Sequence, residues 1–164
     1  KYGLIDSSFN FILEPNYENK IFFEAGQKYI IVKRNMLYGV IDTSMHEVIP
    51  CLYPSISQRF FTQTQLFEVN VDGKFGMINM SNMIVLSVEY DYISLFMFSG
   101  EGEGKFCFVV KIGDKFALMT LDGKPITEFI YTGWGKDESG KSYLYRDDRT
   151  FMILQDGTEI PFLR

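Results

Sequence analysis

The sequence predicts an all-β fold built from about five copies of one short unit. Three observations support this: a segment that recurs along the chain, two spacings that stay constant between copies, and a turn signal between alternating apolar runs. The aromatic fraction of 16% agrees, because aromatic and β-branched residues favour strands.

The recurring segment is the first of three anchors in each copy. It is Tyr-Gly-Leu-Ile-Asp at residues 2–6, Tyr-Gly-Val-Ile-Asp at 38–42 and Phe-Gly-Met-Ile-Asn at 75–79, with weaker copies starting at Phe116 and Thr150. The starts are 36, 37, 41 and 34 residues apart. The second anchor is a tyrosine fifteen residues after the first four starts, at Tyr17, Tyr53, Tyr90 and Tyr131. The third is apolar and lies six residues before the next start, at Val32, Val69, Val110 and Leu144.

The variation in copy length falls entirely between the second and third anchors, which are thirteen to twenty residues apart. The rest of each copy is therefore expected to be held in register by packing. We predict that the tyrosines of the second anchor form a column in the core.

Each anchor has the pattern of a strand. In the third anchor, Phe67, Val69 and Val71 alternate with polar residues and share one face. Asp72-Gly73 follows, and this dipeptide between alternating runs is a strong signal for a two-residue hairpin turn. A second reversal follows each first anchor, at Ser8-Phe9, Ser44-Met45, Ser81-Asn82, Asp122-Gly123 and Asp156-Gly157.

Each unit is thus predicted to be a three-stranded antiparallel meander within a single repeat domain, 1–164. The repeats run approximately over 1–36, 37–73, 74–114, 115–148 and, in part, 149–164. The chain starts at a middle strand, which suggests a cut within a longer array. A solenoid-like stack is the preferred arrangement, and a five-bladed propeller is the alternative.

The glycine of the first anchor needs a physical reason, because glycine weakens a strand interior. Gly3, Gly39 and Gly76 occupy the same place, so we expect another backbone or ring to pack closely there. Ala117 and Phe151 take that place in the last two copies, through either capping of the array or drift.

These motifs resemble a known family. The Tyr-Gly-Leu-Ile-Asp segment, Val48-Ile49-Pro50 and the Tyr-Asp-x-Ile pattern at 90–93 are similar to the WG (KWG) repeats of bacterial proteins. The resemblance implies a β-rich repeat module with no catalytic residues to carry over, and it names no ligand. It leaves localisation open between the bacterial cytoplasm and the cell envelope.

Composition excludes several classes of protein. The net charge of −5 and the absence of a basic stripe argue against nucleic-acid binding. No apolar run approaches the ~20 residues needed to cross a bilayer, so no membrane insertion is expected. Cys51 and Cys107 lack the spacing of metal ligands and are expected to be buried thiols. No metal site and no cofactor are predicted.

The strongest enzymatic motif lies at residues 135–142, which match the Walker A pattern. A nucleotide site would need a helix starting near Lys141, so that its first-turn amides face the phosphates. A strand-like run follows Ser142 instead, and Asp137 and Glu138 would repel phosphate. We therefore predict a polar hairpin loop.

Three weaker signals also have structural explanations. Gly-Glu-Gly-Glu-Gly-Lys at 100–105 is predicted to be a flexible loop expansion. His46 lies beside Glu47 after a turn and is expected to be solvated. Asp6, Asp42 and Asn79 are expected to hydrogen-bond their own turns rather than form a calcium ladder.

The sequence therefore favours a non-catalytic module that binds a protein, peptide or glycan. The alternatives are a structural spacer without a ligand, and a nucleotide-binding protein through 135–142. Segments 54–65, 91–104 and 132–141 are predicted to line one edge of the array as a contact surface, because exposed variable loops concentrate binding residues. The candidate contact residues are Phe60, Phe61, Phe96, Phe98 and Trp134. The oligomeric state is left open.

Overall fold

The structure, a computed structural model, describes residues 1–24, 26–98 and 105–162. Within these ranges the chain forms sixteen strands and one short helix. In chain order they are β1 (Tyr2–Ile5), β2 (Phe11–Tyr17), β3 (Tyr29–Arg34), β4 (Leu37–Asp42), β5 (Glu47–Tyr53), β6 (Ser55–Ser57), α1 (Phe61–Thr64), β7 (Phe67–Val71), β8 (Lys74–Ile78), β9 (Ile84–Tyr90), β10 (Tyr92–Met97), β11 (Phe106–Ile112), β12 (Lys115–Met119), β13 (Gly133–Lys136), β14 (Ser142–Arg146), β15 (Arg149–Ile153) and β16 (Glu159–Phe162). No helix of this described part has the length and apolar character that crossing a membrane requires.

The strands form five small sheets in which neighbours in space are neighbours in sequence. Their orders are β1-β2, β3-β4-β5, β6-β7-β8-β9, β10-β11-β12 and β13-β14-β15-β16. The pairings within the first, second, fourth and fifth sheets, and between β6 and β7, are antiparallel. The predicted all-β tandem array is confirmed.

Three of the connections contain a strand that the sequence did not predict. The strands β6, β10 and β13 each start within two residues of a second-anchor tyrosine and pair with the third-anchor strand that follows. Two of the five sheets consequently have four strands rather than three. The sequence does not reveal these strands, because the segments between the second and third anchors differ in length and therefore show no constant spacing.

The predicted turns have the backbone that tight reversals require. Asp72 and Gly73 have φ of 51° and 80°, and Asn35 and Met36 have φ of 53° and 66°. A type I′ hairpin needs positive φ at both central residues, so these values confirm the predicted hairpins. The second reversal also has a positive φ in every copy, at Phe9, Met45, Asn82, Gly123 and Gly157.

The first-anchor glycines lie against a backbone, as predicted. A methyl group added at Gly3, Gly39 or Gly76 would approach a carbonyl oxygen of the following strand to within 2.3–2.8 Å, which real Cβ atoms essentially never do. At Gly3 and Gly39 the pairing also shifts register, which marks a β-bulge.

The two departures from glycine occur where the following strand is absent or regular. Ala117 lies between two isolated bridges, Phe116 with Tyr131 and Met119 with Pro125, and no regular strand pairs with β12 on that side within the described range 105–162. Phe151 pairs with β16 in a register without a shift. Glycine is therefore present at the three positions that a carbonyl oxygen of the following strand approaches closely, and a register shift accompanies two of them.

The chain divides into two compact units. The single repeat domain over 1–164 stays a prediction. Unit 1 comprises 1–72 and 77–84, and unit 2 comprises 73–76 and 85–164. Unit 1 has a core cluster of Tyr17, Ile21, Ile30, Val32, Ile41 and Cys51. Unit 2 has one of Phe96, Phe98, Cys107, Val109, Leu118, Tyr131, Leu144, Phe151 and Ile153.

Both cysteines are free and buried, as the sequence predicts. Burial raises the pKa of the Cys107 thiol, which keeps it in the unreactive neutral form.

Candidate functional site

The tyrosine column is buried at three of its four positions. Tyr17, Tyr90 and Tyr131 are at most 5% exposed, and Tyr53 is half-buried with its hydroxyl donating to Asn82 Oδ1 at 2.7 Å. The core location predicted for the column is confirmed for these three. The hydroxyls of Tyr17, Tyr53 and Tyr131 each donate to a residue of the next repeat.

The first column position joins a tyrosine to an ion pair that connects its own repeat with the next one. The Tyr17 hydroxyl donates to Glu47 Oε2 at 3.1 Å, and Arg34 Nη2 donates to Glu47 Oε1 at 2.8 Å. The Arg34 guanidinium also lies 5.5 Å from the Tyr17 ring centre. Burial and the Glu47 carboxylate raise the pKa of Tyr17 to about 12, so the phenol stays protonated as the donor.

The last column position repeats this arrangement. The Tyr131 hydroxyl donates to Glu159, and Arg146 binds both Glu159 carboxylate oxygens at 2.8 and 2.9 Å. The Arg146 guanidinium again lies 5.5 Å from the tyrosine ring centre. We call each group a Tyr–Arg–Glu set.

The sequence contains a signal for the Tyr–Arg–Glu sets, which is the joint replacement of the arginine and the glutamate between copies, and the anchors alone do not reveal it. The places that hold Arg34 and Glu47 are occupied in the next copy by Val71 and Ile84, and in the one after by Ile112 and Pro125. The charged pair is therefore either present as a pair or replaced as a pair. Such joint replacement is expected because one partner without the other leaves a charge uncompensated.

The joint replacement predicts the result of a double-mutant cycle. Arg34→Val and Glu47→Ile should each lower the free energy of unfolding by about 1–2 kcal/mol, because each leaves a charged hydrogen-bonding group without its partner. The Arg34 and Glu47 side chains are 35% and 24% exposed, so solvent limits the cost. The double variant should cost clearly less than the sum, by about 0.5–1 kcal/mol or more.

Urea unfolding of the four proteins measures the coupling energy. The exposed pair Asp122–Lys124, with side chains 61% and 77% exposed, is the matched control and should show no measurable coupling. Additive costs for Arg34 and Glu47 would show that the set is not energetically connected.

The Walker-like segment forms a hairpin. Gly135 and Lys136 end β13, the chain reverses over 137–140, and β14 starts at Ser142. No helix follows Lys141 in the described range 105–162, and the predicted hairpin is confirmed.

Asp137 holds this hairpin together. Its Oδ1 accepts the Ser139 and Lys141 backbone N–H groups at 2.9 and 3.0 Å, and its Oδ2 accepts the Tyr143 hydroxyl at 2.7 Å. Hydrogen bonds to the ionised form, chiefly from Ser139 and Tyr143, lower the pKa of Asp137 to about 2. The polar groups of the loop are thus bound to one another.

The remaining chemical candidates also have structural roles. The His46 side chain is 80% exposed in its turn, as expected. Asp6, Asp42 and Asn79 each accept backbone N–H groups two and four residues ahead at 2.8–3.0 Å, so the predicted turn hydrogen bonds are confirmed. Across 1–24, 26–98 and 105–162, the acidic, histidine and cysteine side chains form no metal-binding cluster. Residues 100–104 of the second glycine-rich motif lie outside the described residues.

The structure corrects the expected exposure of three predicted contact residues. Phe60, Phe96 and Phe98 are 6%, 0% and 4% exposed and pack in the interior. Phe96 lies in the edge strand β10 and packs in the core cluster of unit 2 with Phe98, whose ring lies edge-on to it at 5.9 Å. Phe60 lies between β6 and α1.

The other two predicted contact residues, Phe61 and Trp134, are half-buried beside open grooves. Phe61 lies 5.4 Å from the Tyr29 ring and lines a groove of about 310 Å³ in unit 1. Trp134 lies 6.3 Å from the Tyr92 ring and lines a groove of about 590 Å³ in unit 2 with Phe116. Partner binding by these residues stays a prediction, as does the common edge of the three segments.

The groove at Trp134 combines aromatic rings with charged groups. Tyr92 packs edge-on against Phe116 at 6.4 Å, and Lys111 Nζ lies 5.5 Å from the Phe116 ring centre. The groove is also lined by Asp91, whose carboxylate binds Lys74 and the Gly113 N–H. Tyr92 and Trp134 come from two of the predicted contact segments. We call this surface the Trp134 groove.

The five small sheets and their repeated anchors define the chain as a β-repeat protein. Comparison with protein families matches the model for the WG containing repeat at 2–35, 38–75 and 75–116, which is more than half of the chain. The chain therefore belongs to the WG-repeat family. No curated protein and no solved structure is significantly similar to it.

Proposed function

We propose that the chain is a non-catalytic binding module whose repeats present a surface to a protein, peptide or glycan. The supporting observation is the Trp134 groove, where the edge strands β10, β12 and β13 of two sheets bring three half-buried aromatic rings to an open cavity. Half-buried tryptophan and tyrosine are the residue types that anchor interfaces, because they supply large contact areas and polar tips.

The non-catalytic part of the proposal is supported by the candidate motifs. In the Walker-like loop, Asp137 binds the Ser139 and Lys141 backbone N–H groups, and the His46 side chain is exposed at a turn. A phosphate site of the Walker type needs such backbone N–H groups to face the phosphates, whereas here a carboxylate occupies them.

Removing the tryptophan side chain should abolish partner binding. The intact chain, immobilised, is used to capture proteins and peptides from an extract of its source cells. Trp134→Ala should remove most of the captured ligand, while Phe129→Ala, which truncates a 36% exposed ring outside the groove, should not. Thermal unfolding of both variants checks that they fold.

Two results would contradict the proposal. Capture that is unchanged in Trp134→Ala would show that the groove is not the contact surface. Absence of any specific ligand with the intact chain would favour the structural spacer.

A further inference from the structure

A second surface in unit 2 has the features of a ligand site and adjoins the Trp134 groove, with Thr132 lining both. Gly133, Tyr145, Thr150 and Phe162 are directly opposite one another across the four strands of the last sheet. Directly paired residues share a face of the sheet, so these four form one row on it. We call this surface the Tyr145 face.

The Tyr145 ring packs against the neighbouring strand β13 at two glycines, which have no side chains. A methyl group added at Gly135 would lie 2.6 Å from the Tyr145 Oη, and one at Gly133 would lie 3.3 Å from its Cδ2. The two glycines therefore leave space that the ring fills by lying against the β13 backbone. One side of the ring is supported by the strand, and Tyr145 remains half-exposed on the other.

A groove of about 770 Å³ opens above this ring. It is lined by Tyr145, Phe162, Thr132, Thr150, Asp148 and Arg149, together with Pro161. Phe162 is 40% exposed, and its ring packs against Tyr143 at 5.0 Å. The Thr150 hydroxyl has no hydrogen-bond partner in the described part of the chain. The face therefore offers two aromatic surfaces with hydroxyl groups between and beside them.

The charges of this face select the class of ligand. Asp148 and Arg149 line the main groove, and Asp137 and Lys136 line its continuation of about 230 Å³, so acids and bases are balanced. An anionic ligand would be repelled by the two carboxylates, and a cationic ligand would be repelled by the two basic groups. An apolar peptide would bury the hydroxyl and charged groups without partners, which costs free energy.

A neutral sugar satisfies each of these groups. Its C–H faces carry a slight positive charge and stack on the negative face of an aromatic ring. Its hydroxyls can accept from Arg149 and Thr150, and they can donate to Asp148 and to the Thr132 hydroxyl, whose own hydrogen is bound to the Tyr145 carbonyl oxygen. We propose that the Tyr145 face is a binding site for a neutral oligosaccharide, with Tyr145 as the stacking platform.

Calorimetry with neutral oligosaccharides of glucose, mannose, galactose and N-acetylglucosamine tests the proposal on the intact chain. At least one series should bind saturably, and Tyr145→Ala should weaken that binding about tenfold or more. Gly135→Ala keeps every other side chain but displaces the ring, and it should weaken binding similarly. Tyr145→Phe keeps the ring and should bind within about threefold of the wild type.

Matched controls separate this site from others. Tyr2→Ala truncates a 43% exposed tyrosine in the first sheet, and it should bind sugar like the wild type. Trp134→Ala should also retain sugar binding, so the proposed function and this inference can fail independently. Thermal unfolding confirms that each variant folds.

The proposal is overturned by any of three results. The first is the absence of saturable binding by any neutral oligosaccharide. The second is equal affinity of the wild type, Tyr145→Ala and Gly135→Ala for the sugar. The third is tighter binding of an anionic polysaccharide than of the neutral oligosaccharides.

Discussion

Replacing Tyr131 with alanine should lower the free energy of unfolding by about 3–5 kcal/mol, the usual cost of truncating a large buried aromatic side chain. Tyr131 is 1% exposed and lies in the main core cluster of unit 2. The substitution removes the ring from the core and also leaves Glu159 without one of its hydrogen-bond donors.

A second substitution separates these two contributions. Tyr131→Phe keeps the ring and removes only the hydroxyl, while Arg146 still binds both Glu159 oxygens. It should therefore cost only about 1 kcal/mol. Guanidinium unfolding followed by circular dichroism measures both variants, with Ile112→Ala, at a residue 40% exposed, as the control for a surface truncation.

A loss of less than about 0.5 kcal/mol in Tyr131→Ala would show that the tyrosine column does not contribute to packing. A loss in Tyr131→Phe as large as that in Tyr131→Ala would instead assign the stability to the Tyr–Arg–Glu set rather than to the buried ring.

Replacing Gly39 with alanine should cost about 1–3 kcal/mol or more, as overpacking does. The added methyl would lie 2.5 Å from the Ile49 carbonyl oxygen and 2.8 Å from the Cys51 nitrogen. Both atoms are backbone, so the β4–β5 pairing must move apart to accommodate the methyl, and no side-chain rotation relieves the overlap.

The equivalent position in the fourth copy supplies the reverse substitution. Ala117→Gly should cost only about 1 kcal/mol, from the lost methyl and the greater freedom of glycine in the unfolded chain. Differential scanning calorimetry compares the two variants. A stable Gly39→Ala protein would mean that the bulge is not required, and the explanation of the glycine pattern would then be wrong.

Much of the fold could be predicted from the sequence because its determinants are local or periodic. Alternation at Phe67, Val69 and Val71 identifies a strand. The Asp72-Gly73 turn needs only the permissive backbone of its own residues. The constant spacing to the tyrosines reports packing that recurs in each copy. These features required no knowledge of which segments lie beside one another.

The candidate contact surface was predicted less well, because exposure depends on neighbours distant in sequence. Phe60, Phe96 and Phe98 have the composition of exposed anchors, yet they are buried. Variable length marked the segments that carry Trp134 and Tyr92, whose partner binding stays a prediction, and it also concealed the edge strands within them.

The sequence by itself determined the repeat, its strands and turns, and the family, since these follow from spacing and local conformational preference. Only the tertiary structure decided which side chains meet. Nothing in the sequence relates Gly133 and Gly135 to Tyr145, and only β14 places the Tyr145 ring against both glycines. Arg34 and Glu47 become partners of Tyr17 only when consecutive repeats pack together. Contacts between strands depend on their register and on the face of the sheet where each side chain lies. Spacing along the chain does not specify the register or the face when the connection between the strands varies in length.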